Sequence, residues 1–264
     1  MQYATRTIEK AIEARREGRK ESHCQDRFAD LSQWLAEIVQ AREDDGLARL
    51  LHSLGSGYAD KADSLLALER EMAGAKGYYH LAAQAHALCY QLKRAGARWQ
   101  VGSAGGPYDF RKNNFNFSKN AILANAPELA LTITGEDTIE GMLVAGDYEL
   151  ARRSLPREPS GMRDGLGLCM WGIAHGEQQV LDQGLQERIK VLRRQGRSHP
   201  VILDSWGLAA VQLARHRGMR CQVPVIELPW DLLDDTPADL TGLTLPMAEE
   251  IRSIIREKTS GGTI

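Results

Sequence analysis

The stretch that decides the fold is residues 62–94, with the sequence ADSLLALEREMAGAKGYYHLAAQAHALCYQLKR. Leu81 is followed by Leu88 seven residues later and by Leu92 four residues after that, which places the three side chains on one face of a helix. Alanine, the strongest helix former, fills many of the positions between them. We therefore expect a long, closely packed helical stretch that ends before Gly96.

The residues before this stretch carry the same helical pattern. One apolar stripe is formed by Phe28, Leu31, Leu35, Ile38 and Val39. The leucines between positions 47 and 54 restart the pattern, and we expect Gly55-Ser56-Gly57 to interrupt it. Within the 62–94 stretch, Gly74 and Gly77 are expected to bend the helix or to split it into two.

Residues 96–117 differ from both neighbouring segments, because glycines cluster there and are followed by aromatic and basic side chains. We expect a loop whose phenylalanines, among them Phe115 and Phe117, pin it to the core, with helical patterning resuming at Ser118. The same basic and aromatic residues are compatible with stacking on single-stranded nucleic acid. The pattern leaves both interpretations open.

The chain after Ser118 is predicted to form further short helices joined by tight turns. Asp147 is expected to start one of them, because acids near a helix start complement its dipole. Residues 156–167 are the least regular stretch and are a candidate linker or surface loop. Beyond them, Gly172 and Gly207 each follow a tryptophan, and a glycine inside a helix usually marks close helix–helix approach or a bend.

Two helix ends share one sequence pattern. Residues 87–101 are ALCYQLKRAGARWQV and residues 209–223 are AAVQLARHRGMRCQV, each with cations in a last helical turn and a glycine beyond it. This pattern predicts helix stops at Gly96 and Gly218. The chain is therefore predicted to be all-α, a repeat-like bundle of stacked antiparallel helical hairpins. We expect one domain over residues 1–264, with a candidate sub-domain boundary at 156–167.

Composition indicates an ordinary folded protein. Hydrophobic residues make up 43% of the 264 residues, the formal net charge is −2, and the four cysteines are scattered singly. The near-neutral charge argues against direct nucleic-acid binding. The first twenty residues lack the apolar core of a signal peptide, and no apolar stretch is long enough for a membrane span. We expect a cytoplasmic protein that does not contact membrane.

The sequence carries no catalytic signature that we recognise. None of the seven histidines has a second histidine three or four residues away, so no metal site is predicted. The segment from Cys169 to His175 is more typical of a core helix than of a nucleophile and its base. The glycine-rich segment 102–107 lacks the Lys-Ser/Thr ending of a phosphate loop. We expect no enzyme activity, no cofactor and no metal.

The acids are segregated into two runs. Residues 221–251, here called the C-terminal acidic run, hold seven acids and no Lys, Arg or His. Residues 120–150, here called the central acidic run, hold six acids and again no basic residue. Such patches attract basic partners even when the whole molecule is nearly neutral. Charge runs of this kind are also typical of solvated helix faces and caps.

We expect the two runs to form a docking surface for a cationic protein. In the C-terminal acidic run the candidate contacts are Glu227, Trp230, Asp231, Asp234, Asp235 and Asp239, and in the central acidic run they are Asp137, Glu140 and Asp147. The pattern gives Trp230 two roles: an aromatic anchor for a partner, or a hydrophobic plug that holds an acidic loop on the core.

The C-terminal third resembles the immunity protein 49 family. The motifs that carry the resemblance are Asp204-Ser205-Trp206-Gly207-Leu208-Ala209, the helix through Leu213-Ala214-Arg215, and the following Val225-Ile226-Glu227-Leu228-Pro229 with Leu232-Leu233-Asp234. Members of that family neutralise polymorphic bacterial toxins that are encoded beside them. The resemblance implies an all-helical fold and a toxin-binding function, and it supplies no catalytic residue.

If the resemblance holds, the partner is a cognate toxin, and a nuclease is the expected class because its basic groove is complementary to an acidic surface. Binding would block the active site or the entry of substrate. The competing hypothesis is a helical-repeat adaptor or regulatory scaffold that binds another protein. A third is an enzyme that uses the loop at residues 102–117.

Overall fold

The computed structural model describes residues 33–42, 44–97, 110–161, 165–195, 203–225 and 227–261. Within these ranges the chain is all-α, as predicted, and contains no β-strand. Its helices are α1 (33–41), α2 (Asp44–Ser64), α3 (Met72–Arg94), α4 (Phe110–Leu123), α5 (Pro127–Thr134), α6 (Ile139–Ala145), α7 (Tyr148–Ser154), α8 (Gly165–His175), α9 (Gln178–Gln195), α10 (Ser205–His216) and α11 (Ala248–Gly261).

The break between α2 and α3 does not lie at a glycine. The α2 helix runs through Gly55, continues as a π-helical turn over Leu65–Glu69, and ends where Arg70 adopts a left-handed conformation with φ of 53°. The predicted interruption at Gly55-Ser56-Gly57 is therefore wrong. A Cβ atom at Gly55 would lie 2.6 Å from Nε2 of His86, so this glycine permits close packing of α2 on α3.

Gly74 and Gly77 do not divide α3, which spans both positions. At Gly74 the backbone N–H donates to the Glu71 carboxylate, which caps the start of the helix at 2.7 Å. At Gly77 a Cβ atom would lie 2.6 Å from Cδ1 of Leu243. Gly77 therefore lets the non-helical chain that follows residue 239 approach α3 closely.

The predicted loop at residues 96–117 is helical in its last part. The α4 helix begins at Phe110, and Phe115 and Phe117 are buried in the core with 5% and 2% of their surface exposed. The two phenylalanines thus anchor a helix instead of a loop. Residues 98–109, which include the glycine-rich segment 102–107, lie outside the described residues.

The two glycines that follow a tryptophan have different roles. A Cβ atom at Gly172 in α8 would lie 2.6 Å from the backbone N of Leu181 in α9, which confirms a close helix–helix approach. Gly207 lies in the first turn of α10, where its N–H donates to Oδ1 of the capping Asp204. A Cβ atom there would also lie 3.0 Å from Cδ1 of Leu228, so Gly207 permits close packing against the chain after α10, at a helix cap and not at a crossing of two helices.

The predicted helix stops are confirmed. The α3 helix ends at Arg94 and α10 ends at His216, and Gly96 and Gly218 have φ of 102° and 83°. Glycine adopts such angles without the steric penalty of a side chain.

The buried apolar side chains form two clusters that share α3. The larger cluster includes Tyr79 of α3 and gathers side chains from α4 to α10. The smaller includes Leu81 of α3 and joins α1 and α2 to Ile251 and Ile254 of α11. The larger cluster contains both Leu155 and Leu168, the two residues that directly flank the irregular stretch at 156–167.

Two further observations concern the whole described part of the chain. No helix there is long and apolar enough to cross a bilayer. Cys89, Cys169 and Cys221 are buried, and Cys24 lies outside the described residues.

Candidate partner-binding surface

Glu227 is turned into the body of the protein. Only 2% of its side chain is exposed, and Arg193 of α9 donates to both carboxylate oxygens, from Nε at 2.7 Å and from Nη2 at 3.0 Å. The backbone carbonyl of Glu227 also accepts a hydrogen bond from the N–H of Asp204 at 2.8 Å. A buried carboxylate needs such compensation. Glu227 is therefore not available to a partner in this structure, and its predicted place on a docking surface is wrong.

The same end of α9 carries a second charge pair. Arg188 contacts both carboxylate oxygens of Asp204, and the two side chains are 14% and 2% exposed. Oδ1 of Asp204 also accepts the N–H of Gly207 at 3.0 Å and so caps α10. The Asp-Ser-Trp-Gly motif is thereby fixed to α9 through its first residue.

Asp231 and Asp234 also bind cations of the protein itself. Asp231 accepts from Arg70 at 2.8 Å, and Asp234 accepts from the ammonium group of Lys76. The Lys76 side chain is only 3% exposed, and its ammonium additionally donates to the backbone oxygen of Thr236 at 2.6 Å. The C-terminal acidic run thus neutralises a lysine that α3 would otherwise bury without a counter-charge.

The pKa of Asp234 reflects these contacts. Partial burial by itself raises this pKa, but hydrogen bonds from Lys76 and from the hydroxyl and N–H of Thr236 favour the ionised form. The outcome is a pKa below the ordinary carboxyl value. Asp234 is therefore ionised under all but strongly acidic conditions.

Asp235 and Asp239 are two further exposed acids of this run. Asp235 is 67% exposed and lies 3.7 Å from Nη2 of Arg215, at the long end of an ion-pair distance. Asp239 is exposed, and its Oδ1 accepts the N–H of Thr241 at 2.9 Å. Trp230 is partly buried and packs against the larger apolar cluster. It therefore helps to hold the acidic run on the helices.

The acids of the central acidic run face solvent. Asp137 and Asp147 are exposed and Glu140 is half-buried. Asp137 lies in the turn before α6, Glu140 in its first turn, and Asp147 in the N-cap position of α7, where the helix dipoles favour negative charge. Within the described residues none of these three acids forms a salt bridge, whereas Glu149 pairs with Arg152.

The structure brings the two acidic runs together at the end of α4. The side-chain amide of Asn125 donates to the backbone oxygen of Asp235 at 2.6 Å. Beside this contact is a small, open depression, here called the junction depression, with apolar walls from Ile122, Pro127, Val144 and Leu213. Its polar residues are Asn125 and His216.

A buried polar group that the sequence pattern did not indicate links α4 to α10. Nζ of Lys119 donates to Oγ of Ser205 at 2.7 Å, and the two residues are 8% and 5% exposed. An amine beside a hydroxyl is a known nucleophile arrangement, but both side chains here are packed in the core. The two residues are 86 positions apart, so no local spacing could have predicted the contact.

His86 lies in the same region and is fully buried. Its Nδ1 lies 3.4 Å from Nδ2 of Asn120, and its ring contacts Phe117 edge to face. Burial, followed by the positive charges of His52 and Lys119, lowers the pKa of His86 to about 3. The imidazole is therefore neutral at physiological pH.

Among the described residues, no three metal-ligating side chains lie close enough together to share an ion. Comparison with known proteins adds no relative: no family model, no curated protein and no solved structure matches this chain.

Proposed function

We propose that the protein is an immunity protein that binds and neutralises a cognate bacterial toxin, using the exposed carboxylates of the central acidic run as its main contact surface. The observation that carries the proposal is the difference between the two runs. Glu227, Asp231 and Asp234 hold cations of the chain itself, whereas Asp137, Glu140 and Asp147 have no such partner among the described residues.

The absence of basic residues strengthens the local field. Between positions 120 and 150 six acids stand without a Lys, Arg or His. Like charges that are not neutralised internally repel one another, and a cationic partner relieves that repulsion when it binds. The whole chain carries only −2, so this attraction is confined to one part of the surface.

The toxin class follows from charge complementarity. A nuclease presents a basic groove for phosphates, and a surface rich in carboxylates can occupy that groove in place of the nucleic acid. Occlusion of this kind needs no chemistry from the inhibitor. The motifs around Asp204 and Trp206 that resemble the immunity protein 49 family support the same function.

A capture experiment separates this function from that of a helical adaptor. The tagged chain is used as bait in its native cells, and each retained protein is then expressed alone and together with the chain. An immunity protein retains a basic protein that kills or arrests the host on its own, and an equimolar amount of the chain suppresses this effect. A retained protein that is harmless alone would contradict the proposal and favour the adaptor.

A further inference from the structure

The chain between Leu233 and Leu245 places no buried side chain in the core. These two leucines are 4% and 5% exposed, whereas every residue of 234–244, here called the lid, is exposed or half-buried. The lid forms no helix or strand. Segments with few buried apolar contacts and a solvent-exposed backbone open at a lower free energy than the core. The lid is therefore held closed by the few contacts that attach it to the helices.

Lys76 of α3 provides the main polar attachment. An ammonium group has three N–H donors. In Lys76 they bind the carboxylate of Asp234, the backbone oxygen of Asp234 at 3.1 Å and the backbone oxygen of Thr236 at 2.6 Å. All three acceptors belong to the lid, and only 3% of the lysine side chain is exposed. The residues that bind the ammonium group thus also cover it.

Gly77, the next residue of α3, provides the second attachment. A Cβ atom at Gly77 would lie 2.6 Å from Cδ1 of Leu243 and 3.3 Å from the backbone oxygen of Asp239. Both atoms belong to the lid, and apart from α3 itself no other described part of the chain lies within 4 Å of that position. Leu243 also packs against the smaller apolar cluster. The two ends of the lid are therefore attached at adjacent residues of one helix.

Two more side chains of the protein bind the backbone at the first end of the lid. Nε2 of Gln212 donates to the backbone oxygen of Asp234 at 3.3 Å, and Nδ2 of Asn125 donates to that of Asp235 at 2.6 Å. These bonds lie beside the Lys76 contacts and are broken with them when the first end leaves α3. The half-buried Leu243 would then hold the other end with little apolar area. We therefore expect both ends to open together.

We propose that the lid opens and closes as one unit and that Lys76 is covered only in the closed state. This inference goes beyond the proposed function and does not depend on it. In the closed state all three donors of Lys76 are in use, so an anionic group of another molecule can bind this lysine only after the lid opens. Opening gives the charges of Lys76 and Asp234 to water, which limits its cost.

Amide hydrogen exchange measured by NMR tests whether the lid is one unit. The N–H groups of Thr236, Thr241 and Leu243 are hydrogen-bonded within the closed lid, at 2.7, 2.9 and 2.9 Å. After correction for intrinsic rates, their protection should agree within about twofold and should be lower than that of the amides inside α3.

Asp234→Asn tests whether one end of the lid controls the other. The substitution removes the charge that Lys76 binds but keeps an acceptor oxygen for Thr236. It should lower the protection of Thr241 and Leu243 about fivefold, a modest factor because the carboxylate is half exposed. Asp231→Asn is the matched control, since Asp231 pairs with Arg70 outside the lid. It should leave the protection of the lid amides unchanged.

Gly77→Val tests the same coupling from the opposite end. The added methyl groups push only on the lid, so the protection of Thr236 should fall together with that of Leu243 while the circular dichroism spectrum is unchanged. Acetylation of Lys76 by an amine reagent should become faster by the same factor. The rate at Lys190, whose side chain is 56% exposed, serves as the reference.

Several results would overturn the proposal. Unequal protection of the three lid amides, or unchanged protection of Thr241 and Leu243 in Asp234→Asn, would show that the lid does not open as a unit. An equal loss of protection throughout α3 would show that the lid opens only when the protein unfolds. Unchanged acetylation of Lys76 in a variant with faster lid exchange would show that the lid does not cover this lysine. If Gly77→Val does not fold, both measurements on Asp234→Asn decide.

Discussion

Lys76 and Asp234 form an ion pair across 158 positions of sequence, and the lysine side chain in this pair is only 3% exposed. An acid that belongs to the most acidic part of the sequence thus serves as the internal counter-charge of a helix. The C-terminal acidic run fastens itself to α3 by this contact.

Loss of the Asp234 charge should destabilise the protein through Lys76. We expect Asp234→Asn to lower the free energy of unfolding by about 1 kcal/mol at neutral pH, a modest figure because half of the carboxylate side chain is exposed and solvent screens it. Lys76→Met should cost less, since it removes the buried charge together with the need for a partner. When Lys76 is already replaced by Met, adding Asp234→Asn should not lower the free energy of unfolding in urea any further. An equal loss of stability on Asp234→Asn in the wild type and in Lys76→Met would contradict the pairing.

The Asp234 contribution should also depend on pH in one direction. The pKa of this carboxyl is lowered in the folded state, so its stabilisation is complete above the ordinary value of 3.8 and is lost as the pH falls through the lower, folded value. The stability difference between the wild type and Asp234→Asn should therefore be constant from pH 7 to about pH 5 and should close in stronger acid. A stability difference between the two proteins that widens below pH 4 would contradict a lowered pKa of Asp234.

His86 should make stability pH-dependent over a higher range. Its folded pKa of about 3 lies below the ordinary value of 6.5, so in this range the unfolded chain binds a proton that the folded chain does not bind. Between about pH 6 and 4 this one group should reduce stability by about 1.4 kcal/mol per pH unit as the pH falls. In the variant His86→Gln, the free energy of unfolding measured by chemical denaturation should depend less steeply on pH than in the wild type. The same pH dependence in both proteins would exclude the assignment.

The pair between Arg188 and Asp204 should be among the most sensitive points of the fold. Asp204 is buried and Arg188 is only 14% exposed, so Arg188→Met leaves the buried carboxylate without its counter-charge and should cost about 3–5 kcal/mol. The exposed Arg194, on the same helix, is the matched control, and Arg194→Met should change stability by less than about 0.5 kcal/mol. Equal thermal midpoints for the two variants would show that the pair is not needed.

Local sequence pattern predicted the helices because each amphipathic stripe and each helix stop depends on neighbouring residues. Gly96 and Gly218 were found in this way, with cations before them and left-handed angles at the glycine. The pattern gave a wrong prediction at Gly55 because this glycine is needed for the packing of His86, which lies on another helix. Arg70, which ends the π-helical turn before α3, carries no local signal of a left-handed conformation.

The candidate surface was harder to predict for the same physical reason. Charge segregation located the acids, but whether an acid meets solvent or an internal cation depends on contacts between distant segments. The partners of Glu227 and Asp234 are 34 and 158 positions away. In the described part of the chain, no distant cation pairs with Asp137, Glu140 or Asp147, and the sequence alone could not distinguish the two runs on this basis.

The most direct test of the account compares two triple variants that change the net charge equally. Asp137, Glu140 and Asp147 are reversed to lysine in one, and the exposed Glu69, Glu158 and Glu250 are reversed in the other. The association rate with the captured toxin is measured by stopped flow at low and moderate salt. The account predicts that the first variant associates on the order of tenfold more slowly and loses most of its salt dependence, while the second stays close to the wild type. Equal slowing of both variants, or no slowing of the first, would contradict it.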